Sequence, residues 1–236
     1  MGSNKMKVIE LFAGSRSIGK AAEQIGLEVW STDIYDFGGI DCVADILKLS
    51  ADDIPHEGEN TILWASPPCT SFSVASIGHH WNPDRTPKTE ACKLGVKLVE
   101  HTLQLIKEIN PRYWYIENPR GMLRKLNMMQ PLMRNTVTYC QYGDERMKPT
   151  DIWTNNKYWH PRPMCKNGDP CHVAAPRGSR TGTQGRKNNH DRSKIPHDLC
   201  LEVLKSCLDN EETKRAKPYR TPGVQQKLWS HGVCAI

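Results

Sequence analysis

The alternation of short apolar runs with stretches of helical spacing constrains this chain more than any other feature. Lys7 to Phe12 (KVIELF) runs into Ala13-Gly14-Ser15. Ile18, Ala21, Ala22 and Ile25 then share one helical face, which Gly26 closes. Glu28 to Ile34 (EVWSTDI) reads as a second strand, a short third strand precedes Asp45, and Thr61 to Ala65 is a fourth, stopped by Pro67-Pro68. The spacing of Leu94, Leu98, Leu105 and Ile109 predicts a long helix, with Thr86 as N-cap, Pro87 at the first helical position and Pro111 at its end. Arg112 to Glu117, Thr136 to Gln141 and Pro149 to Thr154 are further strands, and a last helix is expected from Pro196 to Leu208. Strands alternating with helices predict an α/β fold, a mostly parallel sheet with helices on both faces. Its opening unit of strand, Gly turn, helix, strand and acid is the layout of a nucleotide-type cofactor site.

Composition bounds the rest. The 236 residues are 38% hydrophobic and 25% charged, enough apolar material for one core and too much for a wholly disordered chain. No run approaches the roughly 20 apolar residues that cross a bilayer, and the first residues lack a signal-peptide core. The net charge of +6 suits a polyanionic partner without demanding one. The nine cysteines are odd in number and scattered, which fits reduced thiols and a cytoplasmic protein.

Three places carry chemistry. Gly14 lets the backbone turn sharply and approach a ligand, and the helix after it presents free N–H groups. Asp33 ends the second strand, where an acid can accept from two ribose hydroxyls. Asp45 could meet a base amino group. The turn lacks the full G-x-G-x-x-G spacing, which argues for a nucleoside cofactor other than NAD; a plain strand–helix turn with two solvated acids remains open. In Ser66-Pro67-Pro68-Cys69-Thr70-Ser71-Phe72-Ser73, two prolines fix the backbone just past a strand end. Cys69 is thereby presented at the carboxyl edge of the sheet, where a thiolate can act as a nucleophile. Cys92, Cys200 and Cys207 lie on helix faces and read as packing residues. Glu117, in Ile116-Glu117-Asn118-Pro119, follows Tyr113, Trp114 and Tyr115, whose bulk would bury it and raise its pKa, as suits a general acid. Taken alone it reads better as a strand cap or a partner of Arg120.

Together these segments resemble the DNA (cytosine-5)-methyltransferases. ELFAGSRSIGKA from Glu10, STDI, ADI at Ala44, SPPCTSFS around Cys69, WYIENPRG around Glu117 and TYCQYGDERMKPTDIWTN from Thr138 stand in the family's order. The resemblance implies a Rossmann-like S-adenosylmethionine-dependent methyltransferase sheet with a small irregular recognition insertion. It implies Cys69 as nucleophile on cytosine C6 and Glu117 as acid at N3, with the target base flipped out of double-stranded DNA. Phe12, Gly14, Ser15, Asp33, Ile34, Asp45, Ile46, Pro67 and Ser193 would hold the cofactor. Ser73, Arg146, Lys148, Arg180, Arg186 and Lys187 would contact the nucleic acid. The expected division is a catalytic and cofactor domain over 1–157, a basic recognition insertion over 158–194, and a helix and tail over 195–236 that pack back. Neither a membrane nor an obligate protein partner is implied, and the compact form suggests a bacterial cell or a phage-infected host.

Departures from the family pattern matter. The family's second glycine in the cofactor turn is missing from Gly14-Ser15-Arg16-Ser17. The added cation there could accept an acidic substituent on the donated group. The family's Gln-x-Arg-x-Arg strand is interrupted, so Arg146 or Lys148 must substitute. The family's Asn-x-Val-Pro segment has only Ser193-Lys194-Ile195-Pro196 as a relative. His160, Cys165, Cys171 and His172 lack the spacing of a zinc motif, and no metal is expected. Two alternatives keep part of the reading: the same chemistry on tRNA, or an inactive relative that binds DNA. Cys69 and Glu117 together argue against the second.

Overall fold

The computed structural model describes residues 6–173 and 192–208. The apolar runs form one seven-stranded sheet. Its strands are β1 (Lys7–Leu11), β2 (Glu28–Asp33), β3 (Cys42–Val43), β4 (Thr61–Ala65), β5 (Tyr113–Pro119), β6 (Arg134–Thr138) and β7 (Pro149–Thr154). They lie in the order β3-β2-β1-β4-β5-β7-β6. The first five run parallel, and β7 is antiparallel to both β5 and β6. Four helices are described: α1 (Ser17–Gln24), α2 (Ile77–His80), α3 (Glu90–Ile109) and α4 (His197–Leu208).

Every residue of β4 and β7 is buried, because both faces of the sheet are covered. Alternation along β4 divides the core. Ile62 and Trp64 join α1 and α4 on one face, with Tyr115, Tyr139 and Trp159. Leu63 and Ala65 join α3 on the other, with Ile116 and Trp153. Asp151 on β7 is fully buried and held by Arg124 Nε at 2.8 Å and by the Thr136 hydroxyl at 2.8 Å. That clamp ties β6 and β7 to the segment after β5.

Two boundaries differ from the expected ones. Helix α3 starts at Glu90, with Thr89 as its cap accepting from Cys92 N at 3.2 Å. Thr86 is consumed earlier, where its N–H and hydroxyl both donate to Asp84 Oδ1 at 2.9 and 2.7 Å, and Pro87 bridges to Trp81. The strand expected through Gln141 ends at Thr138. Tyr139 N donates to Met147 O at 2.8 Å, and Tyr139–Tyr142 coil into a 3-10 turn that Gly143 closes at φ 85°.

The chain leaves β1 toward β2 on one side and leaves β4 toward β5 on the other. A crevice opens at the carboxyl ends of the strands where the order reverses in this way.

Candidate active site

The turn after β1 is built from left-handed backbone. Phe12, Gly14 and Arg16 have φ of 57°, 48° and 54°. For Phe12 and Arg16 that conformation is costly, and such strain collects at functional turns. Asp33 holds the turn in place: its carboxylate accepts from Gly14 N at 2.9 Å and from Tyr35 N at 3.1 Å. Arg16 occupies the place of the family's second glycine and keeps the glycine-like conformation. Its guanidinium pairs with Glu23 at 2.5 Å and does not line the crevice. The cation expected near the donated group is therefore directed elsewhere, because Glu23 lies two turns along the same helix.

Glu10 was not singled out from the sequence. Its buried carboxylate accepts from Ile18 N at 3.1 Å and Gly19 N at 2.9 Å, capping the start of α1 from beneath. Burial pushes its pKa up from 4.5 to about 7, against the lowering effect of those two N–H groups. Only a hydrophobic run with an acid at its fourth residue hinted at this.

The crevice is a cavity of about 1100 Å³. Phe12, Gly14, Ser15, Asp33, Ile34, Asp45, Ile46, Pro67 and Ser193 all line it, as do Cys69, Ser73, Glu117 and Lys148. Its mouth gathers side chains that leave apolar surface in water: Ile34, Tyr35, Phe37, Val74 and Leu94, from 47% to 66% exposed. Apolar walls beside two carboxylates and a glycine turn fit S-adenosylmethionine, which carries an aromatic base and a ribose. Asp45 caps a short 3-10 turn through Oδ1, accepting from Leu47 N at 3.1 Å. The Ser193 segment closes one side, where Ile195 N donates to Ser17 Oγ at 3.2 Å.

Cys69 and Glu117 stand just past or within the carboxyl ends of neighbouring strands β4 and β5. Two contacts fix the loop that carries Cys69. Asn118 Nδ2 donates to Pro67 O at 2.9 Å, and Met122 N donates to Phe72 O at 2.7 Å. Gly121 permits the second contact: a Cβ there would collide with the Phe72 carbonyl. Cys69 opens to solvent through the cavity mouth, yet the packed wall around it raises its thiol above the ordinary value. Lys148 opposes that rise and Glu117 adds to it. Glu117 is buried and accepts from Tyr139 OH at 2.9 Å. Burial raises its pKa, with Lys148, Tyr139 and Ser66 pulling it back down.

Arg146 and Lys148 have different placements. The Arg146 guanidinium is bound to Asp144 and donates to the Arg192 carbonyl at 3.1 Å, outside the cavity lining. It was expected at the nucleic acid; here it is tied down inside the protein. Lys148 does line the cavity. It donates to the same carbonyl at 3.0 Å and lies over the Tyr139 ring at 4.6 Å. Arg180, Arg186 and Lys187, and the tail beyond Leu208, lie outside the described residues. Sequence reasoning missed Tyr139, Asn118 and Gly121 as supports, and Arg120 and Arg192 as lining residues.

Comparison with known proteins gives a consistent result. The chain is 27% identical over 222 residues to a protein of Frog virus 3 (isolate Goorha) named "Probable DNA (cytosine-5)-methyltransferase", covering 86% of this chain and 100% of that one. Among solved structures, one titled "putative DNA modification methyltransferase encoded within prophage Cp" (E. coli) matches with a TM-score of 0.48 and 16% identity over 68% of this chain. The Entamoeba histolytica methyltransferase EhMeth matches with a TM-score of 0.45 and 14% identity over 64%. This chain spans about half, 52%, of the length of each of those two. A family model, C-5 cytosine-specific DNA methylase, matches residues 6–137. That is more than half of the sequence and takes in the cofactor turn, Cys69 and Glu117, so the chain belongs to the C-5 cytosine-specific DNA methylase family.

Proposed function

We propose that this protein transfers a methyl group from S-adenosylmethionine to C5 of cytosine in double-stranded DNA, through a covalent bond between Cys69 and C6. The observation that carries the reading is the single cavity onto which Cys69, Glu117, Lys148, Asp33 and Asp45 all open. Bound S-adenosylmethionine supplies the electrophilic methyl group. Phe12, Ile34 and Ile46 would enclose the adenine, Asp33 would accept from the ribose, and Gly14, Ser15 and Ser193 would flank the methionine end. The Cys69 thiolate adds to C6 of the flipped cytosine while Glu117 gives a proton to N3, so the displaced electron pair makes C5 nucleophilic. C5 would take the methyl group as the cofactor's S–CH3 bond breaks, leaving S-adenosylhomocysteine in its pocket, and C5 would then lose its proton to solvent. The C6–S bond breaks, Glu117 recovers its proton, and Cys69 leaves as thiolate. A raised pKa suits Glu117, which must hold a proton, while Lys148 works against the rise that burial imposes on Cys69 and so favours its thiolate.

A base inside a duplex cannot reach Cys69, so flipping precedes addition. Ser73, Arg120 and Lys148 at the cavity would meet the flipped nucleotide. The basic stretch within 158–194 would hold phosphates and read the flanking sequence. Residues 6–157 form the catalytic unit in this reading, and 195–208 pack back on it; the tail beyond Leu208 lies outside the described residues. No described helix is long and apolar enough to cross a membrane. The virus-encoded relative favours action in the cytoplasm of an infected cell.

The test is a duplex with 5-fluorocytosine at many sites, incubated with the protein and labelled cofactor and run on a denaturing gel. Fluorine blocks loss of the C5 substituent, so wild-type protein should stay attached to DNA and Cys69→Ala should not. An adduct with tRNA alone would reassign the substrate. An adduct unchanged in Cys69→Ala would remove the proposed nucleophile.

A further inference from the structure

Away from the catalytic cavity, four soft donors meet at one point. Cys140, Cys165, Cys171 and His172 place their ligand atoms within 4.8 Å of one another. Cys140 Sγ lies 3.0 Å from Cys165 Sγ and 3.6 Å from Cys171 Sγ. His172 Nδ1 lies 3.8 Å from Cys165 Sγ and 3.6 Å from Cys171 Sγ. A tetrahedral ion with bonds of about 2.3 Å to sulfur and about 2.0 Å to nitrogen sets ligand atoms about 3.6–3.8 Å apart. Three of the four separations match those edges. The fourth, between Cys140 and Cys165, is short of an edge and far longer than the ~2.05 Å of a disulfide bond.

The donor set also selects the metal. Three thiols and one imidazole are soft ligands in a closed arrangement, the pattern of structural zinc. The residue that completes it comes from far back in the sequence, which is why the spacing of 160–172 alone does not read as a zinc motif. His160 is not among the four. The backbone is shaped to bring them together. Cys140 sits in the 3-10 turn after β6. Cys165 is buried beside it, its N–H donating to the Thr138 hydroxyl at 3.0 Å. Gly168, at φ 95°, and Asp169, which accepts from Lys166 N at 2.6 Å, reverse the chain and return Cys171 and His172. Val173 N then donates to Glu145 O at 2.9 Å.

We propose that Cys140, Cys165, Cys171 and His172 bind one structural Zn²⁺ that staples the segment after β7 to the turn after β6. Binding converts three thiols to thiolates and releases three protons to solvent, and His172 binds as neutral imidazole through Nδ1. The site lies at the point where the described chain stops at Val173, before the basic stretch that resumes at Arg192 on the cavity wall. The ion thus anchors one root of the segment read above as the DNA-recognition element. That placement rests on the proposed function, while the metal site itself does not.

The full chain, purified under reducing conditions without chelator, is expected to carry one zinc per molecule by elemental analysis. Replacement with Co²⁺ should give the intense visible bands of a tetrahedral ion and a thiolate-to-cobalt charge-transfer band in the near ultraviolet. Cys171→Ser, at an exposed position, should lower zinc affinity at least tenfold while far-ultraviolet dichroism stays that of the wild type. If that variant does not fold, the wild-type cobalt spectrum decides. Substoichiometric zinc after dialysis against Zn²⁺, weak octahedral cobalt bands, or a Cys140–Cys165 disulfide in reduced cytoplasm-like buffer would each overturn the site. Loss of DNA adduct formation with zinc binding intact would instead count against the proposed function.

Discussion

Lys148 sits where two opposite demands meet. In the proposed reaction Cys69 must lose a proton to attack and Glu117 must keep one to activate the base, and the buried ammonium lowers the pKa of both. Its own pKa is lowered by burial and raised by those two partners. Removing the charge in Lys148→Met should raise both pKa values together, so the bell-shaped pH dependence of kcat/KM moves to higher pH on both limbs. A fall in rate with no displacement of the profile would exclude this electrostatic role. Glu10 gives a second residue-scale prediction. Its folded pKa of about 7 exceeds the ordinary 4.5, so the folded state binds the proton more tightly. The resulting stability is fully present below about pH 4.5 and is lost as pH rises through 7. At most about 3.5 kcal/mol is involved, taking ~1.4 kcal/mol per pKa unit. Urea denaturation at pH 5 and pH 8 should show that drop in the wild type and a smaller one in Glu10→Gln.

At the scale of elements, the reacting groups depend on loops held against one another by backbone. Gly121 is the point of closest approach, because it lets the segment after β5 pass the Phe72 carbonyl of the Cys69 loop. Gly121→Ala should push that loop out of place. The expected cost is about 1–3 kcal/mol of stability, the usual effect of overpacking, with loss of most methyl transfer and retention of cofactor binding by calorimetry. Equal loss of both activities would show that the collision spreads to the cofactor turn. The central strand was legible from the sequence because both sheet faces are covered, which makes Ile62 to Ala65 an uninterrupted apolar run with a hard stop at Pro67-Pro68. The start of α3 was not, because Thr86-Pro87 and Thr89-Glu90 both carry capping chemistry. The choice fell to Asp84 and Trp81, whose contacts appear only after folding. Cys69 and Glu117 were visible through their proline and asparagine neighbours. Tyr139 and Cys140 were not, since each acts across a distance that no local spacing encodes.

Over the whole molecule, the cavity is assembled from β1, β2, β4 and β5 and is closed by a segment that arrives last. A ligand that binds only this assembled state stabilises it by about 2.7 kcal/mol at a hundredfold excess over Kd. For a chain of this size that is a rise in Tm of about 5–10 °C, expected with S-adenosylmethionine and absent with NAD. No rise at saturating S-adenosylmethionine would contradict the cofactor assignment. The fold class followed from the alternation of strands and helices, and the carboxyl-edge location of the site from the glycine turn and the Pro67-Pro68 stop. The late Ser193–Ile195 wall was suggested only by family pattern, since its bond to Ser17 joins residues at opposite ends of the described chain. That bond also sets a schedule for synthesis. A chain growing from its N-terminus at roughly 5–20 residues per second exposes Cys69 and Glu117 several seconds before α4 can settle on α1. Through that interval Cys69 is outside the ribosome while the cavity beside it still lacks a wall.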